Sequence, residues 1–232
     1  MNKFEQLGTI LSTPNEYRTA SGAPGPKYWQ QRCDYDIVCE LDEAQLELKG
    51  KETVTYYNNS PDVLSYLWLQ LDENEHDPTV NSVMADESRM KQENTLRDLD
   101  NIDRRNLLNG LGDKIEKVSD INDRQLQYTI NQTMMRIELP VPLKPGQQFK
   151  FKINWHYKIP NRLVVSGRGG YEFFPEDGNC LFTIAQWYPR LCVYSDFQGW
   201  QNHQFTGRGE FALTFGNFKV QITVPADHIV AA

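Results

Sequence analysis

The chain has little of what metal chemistry or membrane insertion needs. Its 232 residues hold four histidines, His76, His156, His203 and His228, and four cysteines, Cys33, Cys39, Cys180 and Cys192. No histidine belongs to an HExxH motif and no CxxC or mixed Cys/His spacing occurs, so the usual signatures of a zinc site are missing from these residues. Neither a GxSxG nucleophile elbow nor a GxxxxGK[ST] phosphate loop is present, and Gly167-Arg168-Gly169-Gly170 reads as a plain loop. No apolar run approaches the ~18 residues that cross a bilayer, and Met1 to Leu11 lacks the apolar centre of a signal peptide. The chain as it stands reads as soluble, without membrane insertion. Its compartment stays open, with periplasmic, secreted and membrane-associated locations all compatible with a signal removed earlier. Basic residues are scattered and the formal charge is −7, which leaves no electrostatic footprint for nucleic acid or an anionic membrane.

What is there points to strands. Hydrophobic residues make up 39% of the chain, with 11 Tyr, 11 Phe and 5 Trp, a globular composition rich in residues that suit a pleated surface. Met1 to about Lys27 is polar and turn-rich, ending in Ser21-Gly22-Ala23-Pro24-Gly25-Pro26, and reads as an extended arm covering residues 1–29. From about 32 to 41, Cys33, Tyr35, Ile37, Cys39 and Leu41 alternate with mostly polar neighbours, which predicts a strand with one wet face. Leu46 to Tyr57 predicts its antiparallel partner, and Val63 to Leu71, apolar on both faces, predicts a central strand. Asp72 to Arg124 changes character: mixed charge and sparse apolar positions predict a partly helical insertion, with the helix around Asp86 to Leu108. Strand signals return at Gln125 to Ile130 and Thr133 to Leu139, followed by a turn from Pro140 to Gly146. The clearest strand comes next, with Phe149, Phe151, Ile153, Trp155 and Tyr157 on one face. Gly209 to Phe215 and Phe218 to Val224 predict a hairpin through Gly216-Asn217. Cys33 and Cys39, on one strand, stand roughly 20 Å apart and cannot pair. A Cys180–Cys192 disulfide across a hairpin and four buried thiols both stay open.

One stretch concentrates groups that could meet a ligand. In Gly178 to Arg190, Gln186, Trp187, Tyr188 and Arg190 cluster around Pro189 at the end of an apolar strand, offering an amide, two flat rings and a cation. The alternative is structural, with Trp187 and Tyr188 in a core or domain interface and Arg190 paired to an acidic neighbour.

The order of these pieces resembles a known family. Tyr35-Asp36-Ile37-Val38, Gly50-Lys51-Glu52-Thr53-Val54, Leu67-Trp68-Leu69-Gln70-Leu71, Leu143-Lys144-Pro145-Gly146-Gln147, Phe151-Lys152-Ile153-Asn154-Trp155, Thr183 to Arg190 and Phe218 to Ala226 follow one another as in the N-terminal domain of aminopeptidase N-like zinc metallopeptidases, the gluzincin aminopeptidases. The resemblance covers about 30 to 230, less the insertion at about 72–124. It implies an all-β, saddle-shaped domain of antiparallel sheets or a β-sandwich spanning 30–232. It also implies a zinc-bearing catalytic domain downstream as partner, with no catalytic residue and no metal ligand in this fragment. A Gln or Glu of the family segment that follows Thr183 helps hold the free α-amine of a peptide substrate, and by position that role falls on Gln186, with Trp187, Tyr188 and Arg190 beside it. An amide oxygen can accept from an ammonium, and holding the ammonium fixes the scissile bond one residue away. After Arg190 the sequence departs from the family pattern, running Leu191-Cys192-Val193-Tyr194-Ser195-Asp196, and the Gln-to-Arg spacing is one residue shorter. That departure points to a divergent bacterial-type branch.

Two other readings stand beside this one. A free-standing β-sandwich binding module would use Trp187, Tyr188 or Trp200 as exposed stacking platforms for a ligand such as a glycan. A non-catalytic scaffold homologue of the peptidases would share the fold and lack the zinc ligands. The enzyme-fragment reading differs from the binding module in requiring an exposed apolar docking face.

Overall fold

Alternation of large apolar and polar residues drives the first two strands together. In the computed structural model, which describes residues 14–80, 96, 108–165, 168–205 and 212–231, β1 (Arg32–Asp42) and β2 (Glu47–Tyr57) form an antiparallel pair in unbroken register from Arg32↔Tyr57 to Asp42↔Glu47. The tight connection bends at Leu46, which takes a left-handed φ of 52°, while the Asp42 carboxylate accepts the Gln45 backbone N–H at 3.0 Å. β7 (Gln148–Lys158) pairs with the other edge of β2 over its full length. Cys33, Tyr35, Ile37, Val54, Tyr56, Phe151, Ile153, Trp155 and Tyr157 therefore share one buried face.

A second sheet covers that face. β3 (Leu64–Gln70) lies between β6 (Met134–Leu143) and the two-residue β10 (Arg190–Leu191), and β5 (Tyr128–Asn131) flanks β6. Leu67, Leu69, Met135, Ile137 and Leu191 face the first sheet and close the core. β3 is interior to its sheet, as its apolar character predicts. Two small hairpins complete the strand set: β8 (Gly170–Phe174) with β9 (Asn179–Thr183), and β11 (Tyr194–Ser195) with β12 (Gly199–Trp200). The fold is mostly β, with several antiparallel sheets.

Three sequence expectations change. The charged segment does not end as an excursion: β4 (Lys114–Asp120) joins the edge of the first sheet against β7. A bulge between Ile115 and Lys117 breaks its period-two pattern, which is why alternation did not reveal it. Of the rest, Asp72–His76 forms a short 3-10 turn, and the expected helix at 86–108 lies outside the described residues apart from Leu96 and Leu108. The turn expected from Pro140 is shorter, because β6 continues through Pro140 to Leu143. Finally, β13 (Phe218–Thr223) pairs with none of the described residues 212–217 before it, and the start of the expected partner strand, 209–211, lies outside the described residues. β13 runs parallel to β1, from Tyr35↔Phe218 to Glu40↔Thr223. Phe215 already bridges Arg32 in the same direction, and a Cβ at Gly216 would overlap the Cys33 carbonyl, so the chain passes Gly216-Asn217 extended along β1 rather than turning.

Ahead of β1, Arg18 is tied to Asp196 by Nε and a second guanidinium nitrogen at 2.8 Å each, between the rings of Tyr28 and Phe197. Trp29 stacks on Tyr194. Cys33, Cys39 and Cys192 are buried free thiols, and Cys180 is a half-buried one. No helix among the described residues is long and apolar enough to cross a membrane.

Gly50, mid-strand on the buried face of β2, lies under the indole of Trp155, which a Cβ would overlap. Gly50→Ala is expected to destabilise the fold by about 2–3 kcal/mol through overpacking, read as a lower urea midpoint at unchanged slope.

Candidate functional site

The Thr183 to Leu191 segment leaves β9, turns, and enters β10 against β3. The turn is made at Gln186, which holds a left-handed φ of 56° without being glycine, a conformation that persists only where its surroundings enforce it. Among the described residues the Gln186 side chain has no hydrogen-bond partner, so its amide is free for another group. The residues after it are anchored. Trp187 packs against Trp155 at 5.9 Å between ring centroids and edge-on to Tyr188 at 5.1 Å. Tyr188 meets Tyr35 edge-on at 5.4 Å, and Tyr35 stacks on Phe218 at 4.9 Å. The Leu191 backbone N–H donates to the Tyr35 hydroxyl at 2.9 Å, which ties β10 to β1 through the core.

Arg190 is only 7% exposed and lies 2.7 Å from the Asp72 carboxylate, itself buried. Its guanidinium thus has its counter-charge inside the protein. Burial raises the Asp72 pKa, and the neighbouring Arg190 limits the rise. The four expected site residues are therefore neighbours along one segment with different surroundings: Gln186 is free, Trp187 and Tyr188 are half-buried against the core, and Arg190 is held in an ion pair.

Sequence reading passed over a set of buried carboxyls nearby. Glu52, Glu73 and Asp113 are buried along with Asp72, and both Glu52 oxygens lack a partner at 2% exposure. Burial, and then the proximity of Asp113, raises Glu52 well above the carboxylate range, while burial and Asp72 push Asp113 up to about 8. Burial likewise lifts Tyr188 to about 12, helped by Glu52. The signal for Glu52 was present: it shares inward parity on β2 with Leu48, Gly50, Val54 and Tyr56. These carboxyls are not disposed as a metal centre, since no group of three or more His, Cys, Asp or Glu among the described residues could hold an ion.

No family model and no curated protein matches the chain. Among solved structures it is similar to a two-domain M1 zinc metallopeptidase mutant bound to L-tryptophan, at 15% identity and a TM-score of 0.42, over 88% of this chain and 35% of that one. An M1 zinc metallopeptidase from Deinococcus radiodurans is similar at 14% identity and a TM-score of 0.40, over 88% of this chain and 34% of that one. The chain thus spans about a third of the length of the solved structures it matches.

Two stability effects follow from these charges. Asp72→Ala leaves the Arg190 cation buried and unpaired, an expected loss of about 3–5 kcal/mol in denaturant unfolding. For the carboxyls, a folded pKa raised above the unfolded value means the native state holds more protons, so stability falls as pH climbs. For Asp113 that decline runs from about 4, its ordinary value, to about 8. Glu52→Gln removes one titrating group and is expected to flatten the pH dependence, becoming more stable than the parent on the alkaline side. Parallel melting curves from pH ~5 to ~8 across this window check it.

Proposed function

We propose that this chain is the N-terminal, non-catalytic β domain of a zinc-dependent aminopeptidase, with residues 1–29 as an arm and 30–232 as the domain. It scaffolds a downstream catalytic domain and presents Gln186 to the free α-amine of a peptide. The observation that carries this reading is the face of β13. Phe218, Val220 and Ile222 stand in register with Tyr35, Ile37 and Cys39, which point into the core, yet they are 51%, 42% and 40% exposed. The apolar side of the first sheet thus extends beyond its cover as an exposed strip of the kind that marks a protein interface.

The resemblance in motif order adds the identity of the partner. Any zinc would be bound by that partner, where it would supply Lewis-acid chemistry; no residue of this chain is disposed to ligate it among those described. What this chain contributes is positioning. The free Gln186 amide can accept from an ammonium, and the packed Trp187 and Tyr188 hold the backbone that carries it. The binding-module reading has less support, because Trp187, Tyr188 and Trp200 pack against the core instead of standing in an exposed row.

A longer form carrying the downstream domain is expected to release aminoacyl fluorophores in a chelator-sensitive manner, and the 232-residue chain alone to release none. In that longer form, Gln186→Ala should raise KM about tenfold or more, the scale of a lost hydrogen bond to a charged group. A longer form that binds no zinc and releases nothing defeats the proposal.

A further inference from the structure

Residues ahead of β1 fold back on themselves before the chain enters the first sheet. The backbone amides of Thr19, Gly25 and Lys27 donate to the carbonyls of Ala23, Tyr17 and Glu16 at 2.9, 2.7 and 3.0 Å, which closes residues 16–27 into a loop. Arg18 projects from that loop. Its guanidinium donates to both oxygens of Asp196, at 2.8 Å from Nε to Oδ2 and 2.8 Å from Nη2 to Oδ1, while Nη1 returns to the Gly22 carbonyl at 3.2 Å. The guanidinium carbon lies 5.1 Å from the ring centroids of Tyr28 and of Phe197. The Asp196 side chain is 3% exposed, so the contact is made away from water, where a planar fork matched to a carboxylate fixes direction as well as distance.

Asp196 ends a run of chain that starts in the candidate segment. From Arg190 two residues pair with β3, the Cys192 N–H donates to the Trp68 carbonyl at 2.8 Å, the Val193 carbonyl accepts from the Gln201 N–H at 2.9 Å, and Tyr194–Ser195 is β11. β10 is the edge of its sheet, and an edge strand with so few backbone bonds opens readily unless its ends are held. Each end carries an arginine–aspartate pair. Arg190–Asp72 at 2.7 Å holds the start, and Arg18–Asp196 holds the finish, where Trp29 also stacks on Tyr194.

We propose that the 16–27 loop is a strap that keeps 190–196 seated on β3, that Arg18 is its fastening, and that through this run Arg18 is a positioning residue for Gln186. The last part rests on the function proposed above. Gln186 makes its left-handed turn four residues before Arg190, and a turn that persists only where its surroundings enforce it loosens when the strand it leads into loosens.

Amide hydrogen exchange on the 232-residue chain tests the strap. In Arg18→Ala the Cys192 and Gln201 amides are expected to exchange about tenfold faster or more, with the amides that bond β2 to β1 and β7 unchanged. Unaltered exchange at Cys192 and Gln201 overturns the strap. Acceleration shared equally by β2 overturns it as well, because that is a loss of global stability. Arg18→Lys keeps the charge without the fork and should fall between the parent and the alanine variant; a lysine variant that matches the parent overturns the fork as the fastening. In the longer form, Arg18→Ala is expected to raise KM about threefold or more at unchanged kcat, and to add nothing in a Gln186→Ala background. An equal rise in both backgrounds overturns the link to Gln186. A longer form without activity defeats the peptidase reading instead, and the exchange result then decides the strap by itself.

Discussion

Strand β2 is hydrogen-bonded along its whole length on both sides, to β1 and to β7, and this double pairing fixes which side of every residue faces inward. Because side chains alternate strictly, a slip of one residue would turn Val54 and Tyr56 to water and Thr53 and Thr55 to the core. The same parity that buries the aromatic face also buries Glu52 and sets Gly50 under Trp155. The sheet therefore carries its polar cost and its tightest packing on one strand, between neighbours that cannot shift.

The covering sheet meets this face with Leu67, Leu69, Met135 and Ile137, and it ends before β13. That mismatch in width leaves Phe218, Val220 and Ile222 half in water. The candidate segment joins the two sheets at this place: β10 pairs with β3, while Tyr188 and the Leu191 N–H reach Tyr35 of the first sheet. An external contact at β13 would press directly on the residues that hold Gln186 in its left-handed turn. The position of Gln186 and the packing of the β13 edge both depend on how Tyr35, Tyr188 and Phe218 stack.

The buried Arg190–Asp72 pair bears on the same region. Its lone pairs and donors are incompletely satisfied, so it contributes position more than net stability. Fixing the guanidinium at the base of β10 orients one end of the 186–190 segment, and the Trp187–Trp155 contact orients the other.

Periodicity by itself determined the three long strands of the first sheet, the interior position of β3 and the inward residues, because burying one face of a pleated strand leaves a period of two that needs no tertiary knowledge to read. It also gathered Gln186, Trp187, Tyr188 and Arg190 into one stretch. Only the tertiary structure decided the rest. β4 was hidden by a bulge that breaks alternation, and β13, expected as a strand, took a different partner because Gly216-Asn217 suits a hairpin turn and an extended passage along β1 equally well. The separate fates of the four candidate residues depended on partners distant in sequence, Asp72, Trp155 and Tyr35, and a linear pattern does not carry the distances between them.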